Sequence, residues 1–219
     1  MNLLTDHGRP AILKRFSPAE RAVHRATAVL MLGCITTAAI LYNSFLSIPI
    51  GHRRVVKLIH VYSGFALPIP TLLGLASAAY RLDLGRLNRF SLIDWQWLRS
   101  QTRRDGVIPI GKFNAGQKLN AAFLAAAGLV LLGTGMMMYW HDHFEVDLRT
   151  GATFVHDWFA IGVWIAVLGH ITFALRDPES RRGMLRGHVS AHWARVTHPR
   201  WYERIAGPKL HQGADRRRR

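Results

Sequence analysis

Four histidines stand inside long apolar runs of this 219-residue chain: His24, His60, His156 and His170. An ionisable ring is costly in hydrocarbon and there marks a functional site by default. Its chemistry is limited. A neutral imidazole nitrogen ligates a metal, relays a proton or takes part in a hydrogen bond. Which of these applies depends on whether the rings meet, and that depends on the elements that carry them.

The chain is 49% hydrophobic with a formal net charge of +16. In a soluble protein that charge would point to nucleic acid. Here the apolar residues are gathered into runs and the basic residues lie between them. This is the pattern of a membrane protein with Lys/Arg-rich loops on one side, and no nucleic-acid partner is expected. Four runs, about 22–42, 58–80, 119–140 and 153–175, approach the ~20 residues that a helix needs to cross a bilayer. Helix is required, because an open sheet would leave backbone groups unpaired in lipid. Pro68 and Pro70 predict a kink in the second run. The expectation is one all-α membrane domain over 1–219. It is a four-helix transmembrane bundle with cytoplasmic interfacial helices and a basic tail from 176 to 219.

Lysine and arginine fix the orientation. Residues 1–23, loop 81–118 and tail 176–219 carry 24 of them, against Arg53, Arg54, Lys57 and Arg149 in the two opposite loops. Both termini are therefore expected in the cytoplasm of a cell with a bacterial-type inner membrane. Asp142, Glu145 and Asp147 make the third loop acidic, as an outer loop can be. Arg53, Arg54 and Lys57 are a local exception, open to two readings: partners for acidic groups of an outer cofactor, or a lipid-facing patch. Met1 to Glu20 is polar and lacks an apolar core of signal-peptide length, so the first span should act as its own insertion signal.

This topology sorts the histidines by depth. His24 opens the first span on the inner side and His60 opens the second on the outer side. The fourth span runs inward, with His156 near its start and His170 near its end. His60 and His156 therefore share the outer half, and His24 and His170 the inner half. His156 and His170 are 14 residues apart. That is roughly 21 Å of helix and an angular offset of about 40°, so one helix offers both rings on nearly one face. Two imidazoles flanking one iron are the axial ligands of a saturated haem, which transfers electrons rather than binding substrate. Two haems stacked across the membrane are expected. Gly64, one turn after His60, and Gly169, beside His170, leave room for a flat macrocycle, although glycine also serves ordinary close packing. Cys34 is the single cysteine, which rules out an internal disulfide, a resident iron–sulfur site and a CxxCH attachment. Any haem is non-covalent.

Two basic segments are more than linkers. In 91–104, Leu92, Trp95 and Leu98 recur at helical spacing and predict a helix lying on the inner surface. The string Gly111-Lys112-Phe113-Asn114-Ala115-Gly116-Gln117-Lys118 precedes the third span. It reads equally as a ligand-binding loop with neutral amide donors or as a turn and helix cap. Asp177-Pro178-Glu179-Ser180 predicts a helix start after the fourth span. The stretch from there to Ala206 should lie at the headgroups or against a partner.

Glu20-Arg21-Ala22-Val23-His24, Leu58-Ile59-His60 with Gly64, GKFNAGQK at 111–118, the His156…His170 spacing and the segment 182–203 ending His198-Pro199-Arg200-Trp201-Tyr202-Glu203 together carry a resemblance. Over about residues 14–206 the chain resembles the di-haem cytochrome b (gamma) subunit of membrane-bound respiratory formate dehydrogenase. The resemblance implies two b-type haems, His60/His156 outer and His24/His170 inner, in agreement with the depth pairing. It implies an iron–sulfur electron-transfer subunit and a molybdenum or tungsten catalytic subunit as partners outside the membrane. It also implies a quinone, menaquinone, reduced on the cytoplasmic side at Asn114 and Gly116, next to His170, with Gln117 a further contact. Formate oxidation itself would lie in the catalytic partner. Arg25 after His24 and Asp157 after His156 depart from the family pattern, and Asp157 would tune the outer haem or meet the iron–sulfur subunit. The rivals are a cytochrome b subunit of a hydrogenase or another molybdenum oxidoreductase, a His-lined metal or proton transporter, and a passive membrane anchor. The transporter predicts internal repeats, and the chain has none.

Overall fold

The computed structural model of the chain describes residues 12–102 and 107–206, together with a short strand pairing of Thr5–Asp6 with Arg9–Pro10. Four helices are long and apolar enough to cross a membrane: Pro18–Tyr42, Arg53–Gly74, Ala115–Tyr139 and Val146–Arg176. In chain order, α1 is Pro18–Tyr42, α2 Ser44–Ile50, α3 Arg53–Ala66, α4 Pro68–Gly74, α5 Ala78–Leu87 and α6 Leu92–Arg99. Then come α7 Ala115–Tyr139, α8 Val146–Arg176, α9 Pro178–Arg186, α10 Ala191–Thr197 and α11 Pro199–Ala206. Large apolar side chains such as Val29, Leu73, Leu129 and Ile165 point outward from the spans, as lipid requires.

The first and third spans match the apolar runs to within four residues, and the fourth contains its run but starts seven residues earlier, at Val146. The second begins and ends five or six residues earlier than the run 58–80. Arg53 lies inside its first turn because the Arg53 guanidinium donates to the Leu41 carbonyl at the end of α1 (2.9 Å). It thereby satisfies a carbonyl that the helix leaves open. The kink falls at Leu67. Pro68 has no N–H for the Gly64 carbonyl, and the Leu67 N–H takes that carbonyl instead (3.2 Å). The span stops at Gly74, and α5 starts afresh at Ala78.

By its contacts the chain divides into two compact units: residues 19–81 with 122–172, and residues 1–18 with 82–121 and 173–219. The first contains the middle of all four spans. The second is built by short capped elements. Asp177 accepts from the Ser180 N–H (3.0 Å), Pro178 opens α9, and Gly187 ends it at φ +87°, where only glycine sits without strain. Ser190 caps α10 by accepting from the Trp193 N–H. Strand β1 (Ile12–Lys14) pairs antiparallel with β2 (His188–Ser190). This pairing was not expected from a polar N-terminal segment. It is made because Leu13 joins Val189, Ala194, Trp201, Tyr202 and Ala206 in one buried cluster.

Arg15 and His198 sit beside that cluster. The Arg15 guanidinium stacks on Trp193 (4.6 Å), donates to the Lys112 carbonyl (3.0 Å) and faces His198 Nε2 (3.3 Å). His198 Nδ1–H donates to the Gly111 carbonyl (2.8 Å), which leaves Nε2 as the acceptor for Arg15. Burial pulls the Arg15 guanidinium down to about 10, so it stays charged at neutral pH. Burial, reinforced by Arg15, pushes the His198 imidazole down to about 3. Between about pH 6.5 and 3 the unfolded chain therefore binds a proton on this ring that the folded chain does not. Stability should fall as pH drops through that window, by up to about 1.4 kcal/mol per pH unit. Above it the ring is neutral in both states and contributes no slope. Tryptophan-monitored unfolding at pH 7 and pH 4.5 tests this. A His198→Asn variant should lose part of the difference, and an equal difference in both proteins would show that other groups cause it.

Candidate functional site

The structure brings the four histidines together in two pairs. The rings of His24 (α1) and His170 (α8) have centroids 6.1 Å apart with planes at 48°. The rings of His60 (α3) and His156 (α8) are 6.4 Å apart at 64°. These are the pairs that depth sorting predicts. A metal–imidazole bond of about 2.0–2.1 Å, with about 1.1 Å from nitrogen to ring centre, places two axial imidazoles roughly 6.3 Å apart. Both pairs have that separation. Among the described residues no group of three or more His, Cys, Asp or Glu side chains could hold a metal ion. A bare ion with an all-protein ligand set does not fit these residues. A macrocycle that brings its own four equatorial donors does.

The second pair is oriented by hydroxyls. Thr37 Oγ1 lies 3.0 Å from His60 Nδ1, and Thr134 Oγ1 lies 2.9 Å from His156 Nδ1. Each threonine is one turn inside a span and donates its own proton backward, Thr37 to the Gly33 carbonyl (2.6 Å) and Thr134 to the Val130 carbonyl (2.7 Å). With that proton committed, the threonine oxygen accepts from Nδ1–H, and Nε2 is left as the free lone pair that ligation needs. The rings of His24 and His170 have no hydrogen-bond partner among the described residues. Asp157, next to His156, accepts a hydrogen bond from the Tyr42 hydroxyl.

The string 111–118 is organised as a reciprocal cap on α7. The Asn114 N–H donates to Gln117 Oε1 (3.0 Å) and the Gln117 N–H donates to Asn114 Oδ1 (2.9 Å). Both side-chain oxygens are therefore engaged, and the two amide NH2 groups have no partner among the described residues. A Cβ at Gly116 would come within 3.2 Å of the Trp97 ring. The string is held from behind by the Arg15 and His198 contacts to the carbonyls of 112 and 111, and by a buried ion pair of Lys112 with Asp83. Lys118 donates to Asp94 (2.8 Å). Burial would raise the Asp94 carboxyl, but Lys118 and Ser91 outweigh it and hold the carboxyl below its usual range.

Residues 15–187 match the family described as prokaryotic cytochrome b561. The chain belongs to that family. Family membership makes it a membrane cytochrome b with b-type haem as its cofactor. It is 34% identical over 105 residues to the formate dehydrogenase cytochrome b556 subunit of Haemophilus influenzae, covering 47% of this chain and 44% of that protein. It is 34% identical over 102 residues to the nitrate-inducible formate dehydrogenase cytochrome b556(Fdn) subunit of Escherichia coli, covering 45% and 47%. The chain thus spans just under half the length of these curated relatives. A longer match, 24% identical over 198 residues, covers 87% of this chain and 92% of the cytochrome b556(fdo) subunit of formate dehydrogenase of E. coli.

Within this cytochrome b561 chain, sequence reasoning passed over Thr37 and Thr134. A threonine in an apolar span normally bonds its own i−4 carbonyl, and both do. Their available signal was position. Each stands where a histidine on another span can reach the remaining lone pair.

Proposed function

We propose that the chain is the membrane subunit of a formate dehydrogenase complex. It would bind two b haems, one between His60 and His156 on the outer side and one between His24 and His170 on the inner side. It would deliver electrons to a quinone, menaquinone, reduced at the cytoplasmic face. The observation that carries this reading is the pair of ring separations, 6.1 and 6.4 Å, each suited to one bis-imidazole metal. The names of the relatives support the choice of formate dehydrogenase; the family resemblance of the sequence implies an iron–sulfur subunit and a molybdenum or tungsten catalytic subunit as partners. The excess of Lys and Arg in 1–23, 81–118 and 176–219 supports an inner-membrane, multi-pass arrangement with both termini cytoplasmic.

When bound, the haems supply one-electron chemistry across the bilayer. The residues of the chain do the rest. The paired imidazoles His24/His170 and His60/His156 would hold the haems and so keep other ligands off them. Thr37 and Thr134 hold the ring tautomer. Apolar spans keep water from the iron. Quinone contacts are assigned to Asn114, Gly116 and Gln117. The free amide NH2 groups of Asn114 and Gln117 are suited to a quinone carbonyl, since their oxygens are occupied by the cap. Electrons arriving from outside and protons taken up inside would add to the membrane potential.

Absorption spectra of the purified full-length chain, oxidised and reduced, with pyridine haemochrome quantitation, test the reading. Two low-spin b haems per chain are expected. One haem per chain would remove one of the pairs, and none in a folded preparation would overturn the assignment.

A further inference from the structure

The unit formed by 1–18, 82–121 and 173–219 contains a second feature with chemistry of its own. A cavity of about 260 Å³ is walled by the end of α5, by α6, by residues 109–113, by the start of α7 and by α11. Six cations line it: Arg86, Arg89, Lys112, Lys118, Arg200 and Arg204. Two carboxylates answer three of them. Asp83 accepts from Arg86 (2.6 Å) and pairs with Lys112, and Asp94 accepts from Lys118 (2.8 Å). Arg89, Arg200 and Arg204 have no ion-pair partner among the described residues. Arg200 and Arg204 are one helical turn apart on α11, a like-charge spacing that is unfavourable unless an anion lies between or beside them. The helix that carries them is anchored by the buried Trp201 and Tyr202, and Trp201 also lines the cavity.

The surroundings of the cavity indicate the kind of anion. Leu92 and Trp95 on α6 are 80% and 54% exposed, and Phe90 beside them is also exposed. Large apolar and aromatic side chains presented outward next to a cationic pocket are the arrangement of an interfacial helix at the headgroup boundary. A soluble phosphate would need the cations and not this apolar rim.

We propose that this cavity binds the phosphate group of an anionic phospholipid from the adjoining leaflet. Arg89, Arg200 and Arg204 contact the phosphate, and Leu92 and Trp95 lie along the acyl region. The chemistry recognised is a phosphate ester anion, and the apolar rim assigns it to a lipid. The proposal does not depend on the haem ligands or on the quinone site.

The test is lipid binding by the purified full-length chain, delipidated in a zwitterionic detergent. Native mass spectrometry and thermal unfolding are followed with added phosphatidylglycerol, phosphatidylcholine or inorganic phosphate. Phosphatidylglycerol should bind at least tenfold more tightly than phosphatidylcholine and raise the unfolding temperature. The Arg200→Gln/Arg204→Gln variant should lose that preference about tenfold while keeping the wild-type haem spectrum. If the double variant fails to keep that spectrum, Arg89→Gln, at an exposed position, replaces it as the probe and should also lower the preference. Equal binding of the two lipids, or an unchanged preference in a folded variant, would overturn the site. Full protection by inorganic phosphate with no further effect of phosphatidylglycerol would overturn the lipid assignment and leave a soluble phosphate as the occupant.

Discussion

Replacing His170 with alanine should leave one haem per chain and end quinone reduction. The reasoning begins with coordination. Each proposed haem is held non-covalently by two axial imidazoles, since the single cysteine, Cys34, cannot form a CxxCH attachment. Removing one imidazole of a pair leaves the other ring with no imidazole facing it. The pairing gives the experiment a stringent internal control. His24→Ala should match His170→Ala in haem content and in the spectrum of the haem that remains, because the two rings face each other at 6.1 Å. His60→Ala and His156→Ala should form a second matched set, with the complementary spectrum remaining. In the assembled complex, both sets should lower formate-dependent menaquinone reduction by at least about 100-fold, as expected when a catalytic constellation loses a member. If His24→Ala and His170→Ala left different haems behind, the pairing would be wrong even with two haems in the wild type. If His170→Ala kept both haems and full quinone reduction, the inner site would have to be sought elsewhere.

Much of this site was legible in the sequence because bilayers impose few choices. A span must be helical and about 20 residues long, lysine and arginine report its direction, and a histidine within it stands out against apolar neighbours. Depth then follows from counting, and depth was enough to pair His60 with His156 and His24 with His170. Contacts set by tertiary packing were not legible. The second span starts at Arg53 because that side chain reaches the Leu41 carbonyl, a contact between two spans that no hydropathy window contains. The β1–β2 pairing joins residues about 175 positions apart in sequence, and its buried contact, Leu13 against Val189, comes from apolar stretches too short to stand out in hydropathy. His198 lies in a basic tail whose polarity gives no sign of burial, yet it is 3% exposed, because Arg15 and the Gly111 carbonyl satisfy both of its nitrogens. Asn114 and Gln117 read equally as ligand contacts or as a cap. The structure makes their oxygens a cap and leaves their amide nitrogens available.

The Thr37→Val/Thr134→Val double variant should release the outer haem about 100-fold more readily than the wild type and leave the inner haem in place. Each threonine bonds backward to its own helix and forward to a histidine Nδ1, at 3.0 Å from His60 and 2.9 Å from His156. Valine keeps the shape and removes the hydroxyl, which is both the acceptor for Nδ1–H and the donor to a carbonyl of its own helix. Without it, Nδ1–H is held by the backbone alone: the Cys34 carbonyl at 3.2 Å from His60, and the Leu131 carbonyl for His156. That fallback limits each single variant to the low end of the 10–100-fold effect typical of lost outer-shell partners, so about tenfold per site. The two threonines contact different histidines of the proposed outer site and share no contact with each other, so their effects should multiply. Losing the hydrogen bonds also makes both imidazoles weaker donors. The midpoint potential of the outer haem should therefore rise, while that of the inner haem stays constant, since His24 and His170 have no such partner among the described residues. Redox titration in detergent, together with haem retention during exchange against an excess of a haem-binding acceptor protein, reads both effects. Thr37→Ser and Thr134→Ser should restore retention, because serine supplies the same oxygen one turn inside the span. A valine variant that matched the serine variant in retention and potential would show that the threonines only cap their own helices.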